Sequence, residues 1–393
     1  MPLDFQQLSY QIHELGEQAV AREERVRLNH ENALAILDSF QMKKDALIEM
    51  VAKALLKNPN LRCAVPGEES LMFHKGVPPR IEPAVVLAAD GSQIIPDRHA
   101  PVMFGVINIG SLSMRMGSGE TPQQAVETRL LGYDVVYTPG GVIGEEVVQL
   151  MRDSRERTYL ADLAEKETQP VFTLTDGPIE PFVRDLDQRQ DLLVLFNSYL
   201  AALRRMASRQ VCAAGYVDKP GSDLLVRLLE LTLLQGKRIE DAGKARPLEG
   251  VSDAALLRDL LEPGERSAIF GIQSPSAGLF TDNLALRFFY LNVGQPGRPW
   301  LARVEIPAWV ESQPGMVDQL QAILVEQAKY MGSQPYPYVL HRAHEVAVVT
   351  FEERRQVEEL LSLELIRRGL PAGEVSRKQY AKDVTGKRTR YKG

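Results

Sequence analysis

Two stretches of this 393-residue sequence place an aspartate directly after a run of apolar residues. Residues 83–92 lead into Asp90, which is followed by glycine and serine, and residues 171–178 lead into Asp176, which is followed by glycine and proline. Each pattern predicts a buried strand that presents a carboxylate at its end and then turns. A single Asp-Gly after a strand is also the ordinary signature of a turn without chemistry.

The pair of aspartates is more informative than either one alone. Two carboxylates side by side at one edge of a sheet repel each other, so one must be protonated or a cation must lie between them. We therefore predict a metal site that includes Asp90 and Asp176.

Composition and cysteine usage restrict the class of protein. Hydrophobic residues make up 44% of the chain and charged residues 25%, which is ordinary for a folded protein. Cys63 and Cys212 lie far apart and have no metal-binding spacing, so they argue against a disulfide framework and a zinc knuckle. The sequence contains no apolar run of about 18 residues and no signal-peptide pattern, which predicts a cytoplasmic protein without a membrane span.

Charge is distributed unevenly along the chain. The net charge is −6, yet residues 377–393 contain seven lysines and arginines and a single acid. An acidic body with a basic tail is compatible with phosphate contacts made by the tail. A solvated terminus without a partner explains the same pattern.

The elements that must position the two aspartates can be predicted from periodicity. Residues 5–56 have helical spacing and indicate one long helix or a two-helix arm, which packs on the body or on a second subunit because its narrow apolar stripe needs a partner. Residues 61–82 are predicted as a connecting loop. The remaining elements follow as strands at 84–90, 101–109, 111–116 and 135–137, a helix at 144–166, strand 171–176, helix 181–208, strand 211–217, helix 223–235, a polar loop at 236–250, a short helix at 254–261, a hairpin at 286–306, and helices at 316–330 and 351–368.

This order of meander, helix, strand, helix, strand and helix is that of the ribonuclease H-like fold, an α/β architecture with a mixed sheet and flanking helices. In that arrangement the first and fourth strands are neighbours, so Asp90 and Asp176 end adjacent parallel strands. We predict an N-terminal helical arm at 1–60, a ribonuclease H-fold domain at 80–370, and a basic tail at 371–393.

An ordered set of motifs over residues 80–350 resembles the NurA nucleases. The motifs are Ala89-Asp90-Gly91-Ser92, a helix with Arg152 and Glu156 that leads into Leu174-Thr175-Asp176-Gly177-Pro178, then Ala214-Gly215-Tyr216-Val217, and finally Pro335-Tyr336-Pro337 with Ala343-His344. The resemblance implies a dimeric ribonuclease H-like nuclease that degrades DNA with Mn²⁺. It also implies work with HerA, a hexameric translocase, on broken DNA ends.

The resemblance also implies roles for individual residues. Asp90 and Asp176 match the two metal-binding aspartates, and Glu156 fits best as the third carboxylate, with Glu145 and Glu146 on the same helix as alternatives. The late tyrosine and histidine correspond to Tyr336, with Tyr338 as its rival, and to His344. The long arm and the polar segment at 236–250 depart from the simpler archaeal pattern, which leaves dimer geometry and partner contacts open.

These residues suit phosphodiester hydrolysis. Two divalent ions about 4 Å apart activate water and neutralise charge on the attacked phosphate, and oxygen ligands suit Mn²⁺ or Mg²⁺. We predict that Asp90 and Asp176 bind metal, that Glu156 completes the ligand set or orients water, and that Tyr336 contacts the phosphate or the strand. His344 is predicted to bind metal or assist proton transfer. Exonuclease activity, with single-strand endonuclease activity beside it, is the expected outcome.

Two other functions compete with this one. An actin-like or sugar-kinase-like ATPase shares the core fold but needs a second core with its own phosphate loop, which the later chain does not offer. A non-catalytic scaffold on the same fold would not require the acids and the histidine. Because the sequence has no Walker A loop, ATP-driven movement along DNA would have to come from a partner.

Overall fold

A mixed sheet of four strands forms the centre of one of the two units into which the chain divides. The computed structural model describes residues 3–78, 83–100, 102–138, 140–168, 170–181, 186, 189–234 and 236–370. The sheet unit comprises Pro83–Thr175, Pro181–Val211 and the described chain from Val339. Its strands are Val85–Ile94, Gly105–Arg115, Gln123–Leu131 and Val171–Asp176, and Asp176 itself is counted with the other unit.

The strand Val85–Ile94, called here the central strand, has a partner on each side. It pairs antiparallel with Gly105–Arg115, which in turn pairs antiparallel with Gln123–Leu131. On its other side it runs parallel to Val171–Asp176, in a register that places Ala89 opposite Thr175. The predicted parallel neighbours are confirmed, and so is the ribonuclease H-like α/β fold with flanking helices. An antiparallel meander is present as well, although its third strand, Gln123–Leu131, was not predicted.

Helices accompany this sheet because their apolar residues recur on one face. The helix Glu145–Ala164, called here the acidic helix, buries Val148, Leu160 and Ala161 among others, and it contacts the central strand. The other helices are Tyr133–Val136, Gln190–Ser208, Tyr338–Ala347 and Phe351–Arg367, and a small ribbon pairs Tyr137–Thr138 with Gly141–Val142.

The second unit contains the described residues up to 78, Asp176–Glu180 and Cys212–Tyr338. Its strands run antiparallel to their neighbours in the order Cys63–Pro66, Phe270–Gln273, Leu286–Asn292, Leu301–Pro307 and Cys212–Asp218. Short strands at His74–Lys75 and Arg266–Ser267 join this sheet. The helices of the unit are Phe5–Phe40, Lys44–Lys57, Leu224–Leu233, Asp253–Leu257, Ala308–Glu311 and Met316–Lys329, with 3₁₀ turns at Gly236–Gly243, Ala277–Leu279 and Asp282–Leu284.

The predicted N-terminal arm consists of two helices whose later part belongs to the core of this second unit. Leu37, Leu47 and Val51 are buried together with Leu225 and other residues of the helix Leu224–Leu233. Residues 3–25 are almost entirely exposed. Within the described chain, no helix has the length and apolar character needed to cross a membrane.

Several predicted elements were wrong in extent or type. The central strand does not stop at Asp90 but continues to Ile94, because Gly110, Ile109 and Asn108 supply ladder partners where a turn was predicted. Residues 101–116 contain a single strand, and residues 123–131 form a strand that their polar composition concealed.

Other segments were assigned too little or too much regular structure. Residues 61–82 contain two strands, residues 135–137 end a helical turn, and the loop predicted at 236–250 begins with a 3₁₀ helix. The helix predicted from residue 181 begins at Gln190, and residues 182–185, 187 and 188 lie outside the described chain. The basic tail at 371–393 also lies outside it. The domain boundaries remain a prediction.

Candidate active site

Asp90 lies in the middle of the central strand and is held by a histidine from far along the chain. Its Oδ2 atom is 2.6 Å from Nδ1 of His344, on the helix Tyr338–Ala347. The Asp90 side chain is 17% exposed, whereas that of His344 is 61% exposed. When Nδ1 donates to the carboxylate, Nε2 of the neutral ring keeps its lone pair for a metal ion or a proton.

The same helix is fixed against the sheet next to this pair. Ser92 Oγ and Asn108 Nδ2 both donate to the carbonyl of Ala347, at 2.5 and 2.8 Å. Gly110 faces the backbone of this helix so closely that a Cβ there would lie 2.5 Å from the nitrogen of Ala347. The position of His344 is therefore set by its helix as well as by Asp90.

Glu156 approaches the residue after Asp90 from the acidic helix. A Cβ on Gly91 would lie 2.6 Å from Oε1 of Glu156 and 2.6 Å from Cγ of Arg152. Glycine is required here because the two side chains occupy the space that any other residue would need. Gly91 thus permits the close approach of a helix, rather than the turn predicted from the sequence.

Burial and like charge raise the pKa of the acids on the helix. The pKa of Glu156 lies well above its usual value, chiefly because the side chain is buried and secondly because Asp153 and Asp90 are near. The pKa of Asp153 is raised by burial as well, and Asp90 adds to the effect. The three acids therefore form a mutually repelling group, called here the carboxylate cluster.

Arg152 and Arg157 partly offset this repulsion. Nη2 of Arg152 donates to Oδ1 of Asp153 at 2.7 Å, and its Nε lies 3.4 Å from Oε1 of Glu156. The buried Arg157 donates from Nε to the hydroxyl of Tyr199 at 3.1 Å and lowers the pKa of both helix acids by its charge. The cluster thus carries three acids and, with His344, three neighbouring basic groups.

Asp176 ends the strand that runs parallel to the central strand. Ala89 is paired with Thr175, and the next residue on each strand is an aspartate, Asp90 on one strand and Asp176 on the other. Gly177 comes next with φ of +84°, so the predicted turn after this second aspartate is confirmed. Its amide donates to the carbonyl of Tyr216 at 2.8 Å, which fixes the start of the turn.

The remaining predicted site residues have separate surroundings. Tyr336 is half-buried and packs edge-on against Tyr216, with ring centroids 5.5 Å apart, whereas Tyr338 packs edge-on against Tyr330. Glu145 and Glu146 occupy the first turn of the acidic helix, three turns before Glu156, and Glu146 lies 3.4 Å from Arg189. Of the three glutamates considered, Glu156 is the one that contacts the central strand next to Asp90.

The donor atoms of the carboxylate cluster fit a hard divalent cation. Carboxylate oxygens are the preferred ligands of Mg²⁺ and Mn²⁺, and a cation would relieve the repulsion that raises the pKa of Glu156. Across the described residues, however, no three acidic, histidine or cysteine side chains already converge as a bound ion would require. In this structure Arg152 lies beside Glu156 and Asp153, and the imidazole of His344 contacts Asp90.

Two residues of this site were not assigned a role from the sequence. Asp153 was not considered, and Arg152 was noted only as part of a motif. The available signal was helical spacing, because Glu156 lies three residues after Asp153 and four residues after Arg152. Charged residues at that spacing usually mark a solvated helix face, which is why the pattern did not stand out.

This fold and this cluster define the class: a mixed α/β protein with an acidic site built on its central sheet and one flanking helix. The NurA domain matches residues 84–349, which is well over half of the sequence. The chain belongs to the NurA family. This confirms the resemblance drawn from the motifs. Among curated proteins, no significant match is found.

Solved structures with a similar fold include several nucleases. The NurA nuclease from Sulfolobus solfataricus is 14% identical, with 85% of this chain and 98% of that chain covered and a TM-score of 0.49. The catalytic domain of human endonuclease V is 12% identical, with coverages of 81% and 98% and a TM-score of 0.33. LC9-RNase H1 is 14% identical over 40% of this chain and 70% of that one, with a TM-score of 0.23. These values are too low to support an argument about activity.

Proposed function

We propose that this protein is a metal-dependent deoxyribonuclease. Its membership of the NurA family supports a nuclease, and the observation that carries the proposal is the carboxylate cluster next to Asp90. Burial and the nearby carboxylates raise the pKa of Glu156 and of Asp153, and such perturbed acids are common at functional sites. In a phosphodiester hydrolase, the carboxylate cluster would serve to bind divalent ions.

Each residue has a role in this proposal. Asp90, Asp176, Glu156 and His344 would hold Mn²⁺ or Mg²⁺, most simply two ions. Bound ions would supply an activated water and charge neutralisation at the phosphate. Asp90 orients the imidazole of His344 through Nδ1 and fixes its tautomer, so that Nε2 is available to bind a metal ion or accept a proton. Arg152 keeps Glu156 and Asp153 close together, and Tyr336 would contact the scissile phosphate or the strand.

The direct test is cleavage of labelled linear and closed-circular DNA with Mn²⁺, Mg²⁺ or EDTA. We expect cleavage with either ion, none in EDTA, and a loss of at least about a hundred-fold in Asp90→Asn and Asp176→Asn. Asp162→Asn is a matched control. Asp162 also lies on the acidic helix, but it is partly exposed and forms ion pairs with Arg155 and Arg205 instead of joining the carboxylate cluster. Full activity in EDTA would refute the metal dependence. Comparing the linear and circular substrates separates exonuclease from single-strand endonuclease activity.

The family match favours this function over its rivals. An actin-like or sugar-kinase-like ATPase would need a second core that binds phosphate, whereas the NurA domain alone accounts for residues 84–349. For a non-catalytic DNA-repair scaffold, Asp90→Asn and Asp176→Asn would not change the result of the cleavage assay. The same pair of variants therefore distinguishes a scaffold from a nuclease.

We further propose that the nuclease acts as a homodimer on broken DNA ends together with a HerA-type translocase. The chain has acids suited to cutting, and its sequence lacks a nucleotide-binding loop, so movement along duplex DNA needs a motor. Co-purification with the translocase and cleavage of linear duplex DNA with and without ATP test this coupling. Equal cleavage rates with and without motor and ATP would refute it, even if the nuclease activity stands.

A further inference from the structure

A cavity of about 400 Å³ in the unit that contains the strand Cys212–Asp218 is lined by two cations and an aromatic ring. Lys219, Arg258 and Trp300 surround it, together with small residues such as Ser252 and Ala255. Its described lining includes neither aspartate nor glutamate. In a protein with a net charge of −6, this is a local concentration of positive charge.

The aromatic ring is held in place from two sides. Nε1 of Trp300 donates to Oδ1 of Asp218 at 2.7 Å, and the backbone amide of Trp300 donates to Oδ1 of the buried Asn292 at 3.1 Å. Nζ of Lys219 lies 4.1 Å from the centroid of the indole. The indole and the ammonium group are therefore preorganised, so a ligand that uses them would lose little conformational entropy on binding.

The backbone at Lys219 is unusual for its residue type. Its φ is +43°, in the left-handed region that a side chain with a Cβ seldom adopts. Such a conformation is strained and is found preferentially at active sites and ligand-binding sites. Here it places the ammonium over Trp300, at the wall of the cavity.

Among the described residues, neither cation of the cavity is neutralised by an ion pair. Arg258 is exposed, and within the described chain no carboxylate lies at ion-pairing distance from it. Lys219 contacts the indole instead of an acid. Asp218, which directly precedes Lys219, accepts the hydrogen bond from Nε1 of Trp300.

We propose that this cavity is a nucleic-acid phosphate site, in which Lys219 and Arg258 bind phosphates of a DNA strand and Trp300 offers a surface for a neighbouring base. An arginine donates in a planar fork that matches phosphate, and aromatic rings beside cations are the usual contacts for single strands. The proposal rests on the nuclease function only for naming DNA as the source of the phosphate.

Binding of a labelled single-stranded oligonucleotide in EDTA tests the site without any cleavage. The double variant Lys219→Asn with Arg258→Gln removes both charges, and asparagine tolerates the backbone of Lys219. We expect affinity to fall by about tenfold and the slope of log K against log salt to fall by about 1.4, which corresponds to two phosphate contacts on a single strand. The control is Arg25→Gln with Lys244→Asn, which removes the same charge from other exposed positions of the unit.

Two further measurements identify the source of the phosphate. Fluorescence quenching by the oligonucleotide should disappear in Trp300→Phe, and a mononucleotide should compete only weakly with the strand. If the double variant keeps the wild-type salt slope, or if a mononucleotide binds as tightly as the strand, the proposal is wrong. Because none of these readouts uses cleavage, a failure here is distinguishable from failure of Asp90→Asn to stop hydrolysis.

Discussion

At the scale of single residues, the site depends on a glycine as much as on its acids. Gly91 leaves room for Glu156 and Arg152 to reach the central strand directly beside Asp90. The two side chains belong to a helix more than 60 residues further along the chain, so their approach is decided by packing rather than by local sequence. The glycine that looked like part of a turn is instead the point at which helix and strand meet.

Gly91→Ala should therefore damage the site without touching any acid. The added methyl group would lie 2.6 Å from Glu156 Oε1, so the carboxylate must move, and we expect about a hundred-fold loss of cleavage and about 1–3 kcal/mol of stability. Gly76→Ala is the control, because a Cβ there meets no atom within 4 Å. Cleavage assays and urea unfolding measure both effects. Wild-type activity in Gly91→Ala would show that the closeness of Glu156 does not matter.

At the scale of elements, buried acids connect secondary structures that the sequence separates. Glu305 is fully buried, and its Oε2 accepts from the amides of Ile179 and Glu180 in the turn that follows Asp176. Asp253 is likewise buried and accepts from the first amides of the helix Leu224–Leu233 and from the hydroxyl of Tyr290. Each acid replaces several backbone partners that a turn or a helix start lacks.

Asp253 should make the stability of its unit depend on pH. Burial raises its pKa from 3.8 to about 6, so the native state holds the proton more tightly than the unfolded state does. This contribution is complete below pH 3.8 and is lost as the pH rises through 6, an effect of about 3 kcal/mol. Urea unfolding between pH 4 and 7.5 should show this loss in the wild type and not in Asp253→Asn. Parallel pH profiles for the two proteins would contradict the expectation.

At the scale of the whole molecule, the N-terminal helices have a buried part and an exposed part. The part that contains Leu37, Leu47 and Val51 is core, whereas the first turns expose apolar side chains, with Tyr10 72% and Ile12 58% exposed. An exposed apolar stripe of this kind needs a partner. The proposed homodimer would cover it with a second copy of the chain.

Two truncations separate these parts. If the protein is the proposed homodimer, removal of residues 1–14 should leave a monomer in light scattering at micromolar concentration while the thermal unfolding temperature stays close to that of the wild type. Removal of residues 1–57 should prevent folding of the unit, because it deletes several fully buried side chains, each worth about 2–5 kcal/mol. A dimer that survives the shorter truncation would show that the exposed turns are not the interface.

The sequence by itself determined the elements whose apolar residues follow one another directly or recur at helical spacing. The strand that carries Asp90 begins with an uninterrupted apolar run, and the five residues before Asp176 are all buried, two threonines included, since both faces of a central strand are covered. The acidic helix buries apolar residues at helical spacing. Their order along the chain was enough to predict the parallel neighbours and the ribonuclease H-like fold, although not the third strand of the meander. The ordered motifs identified the NurA family.

Only the tertiary structure decided how the site is assembled. The central strand continues through Asp90 because a neighbouring strand offers hydrogen-bond partners, which outweigh the local preference of Asp-Gly-Ser for a turn. His344 reaches Asp90 across 254 positions, and Asp153 and Glu156 acquire raised pKa values only when the helix packs on Gly91. Local sequence carries propensity and periodicity, whereas contact, burial and the resulting electrostatics exist only after distant segments have packed together.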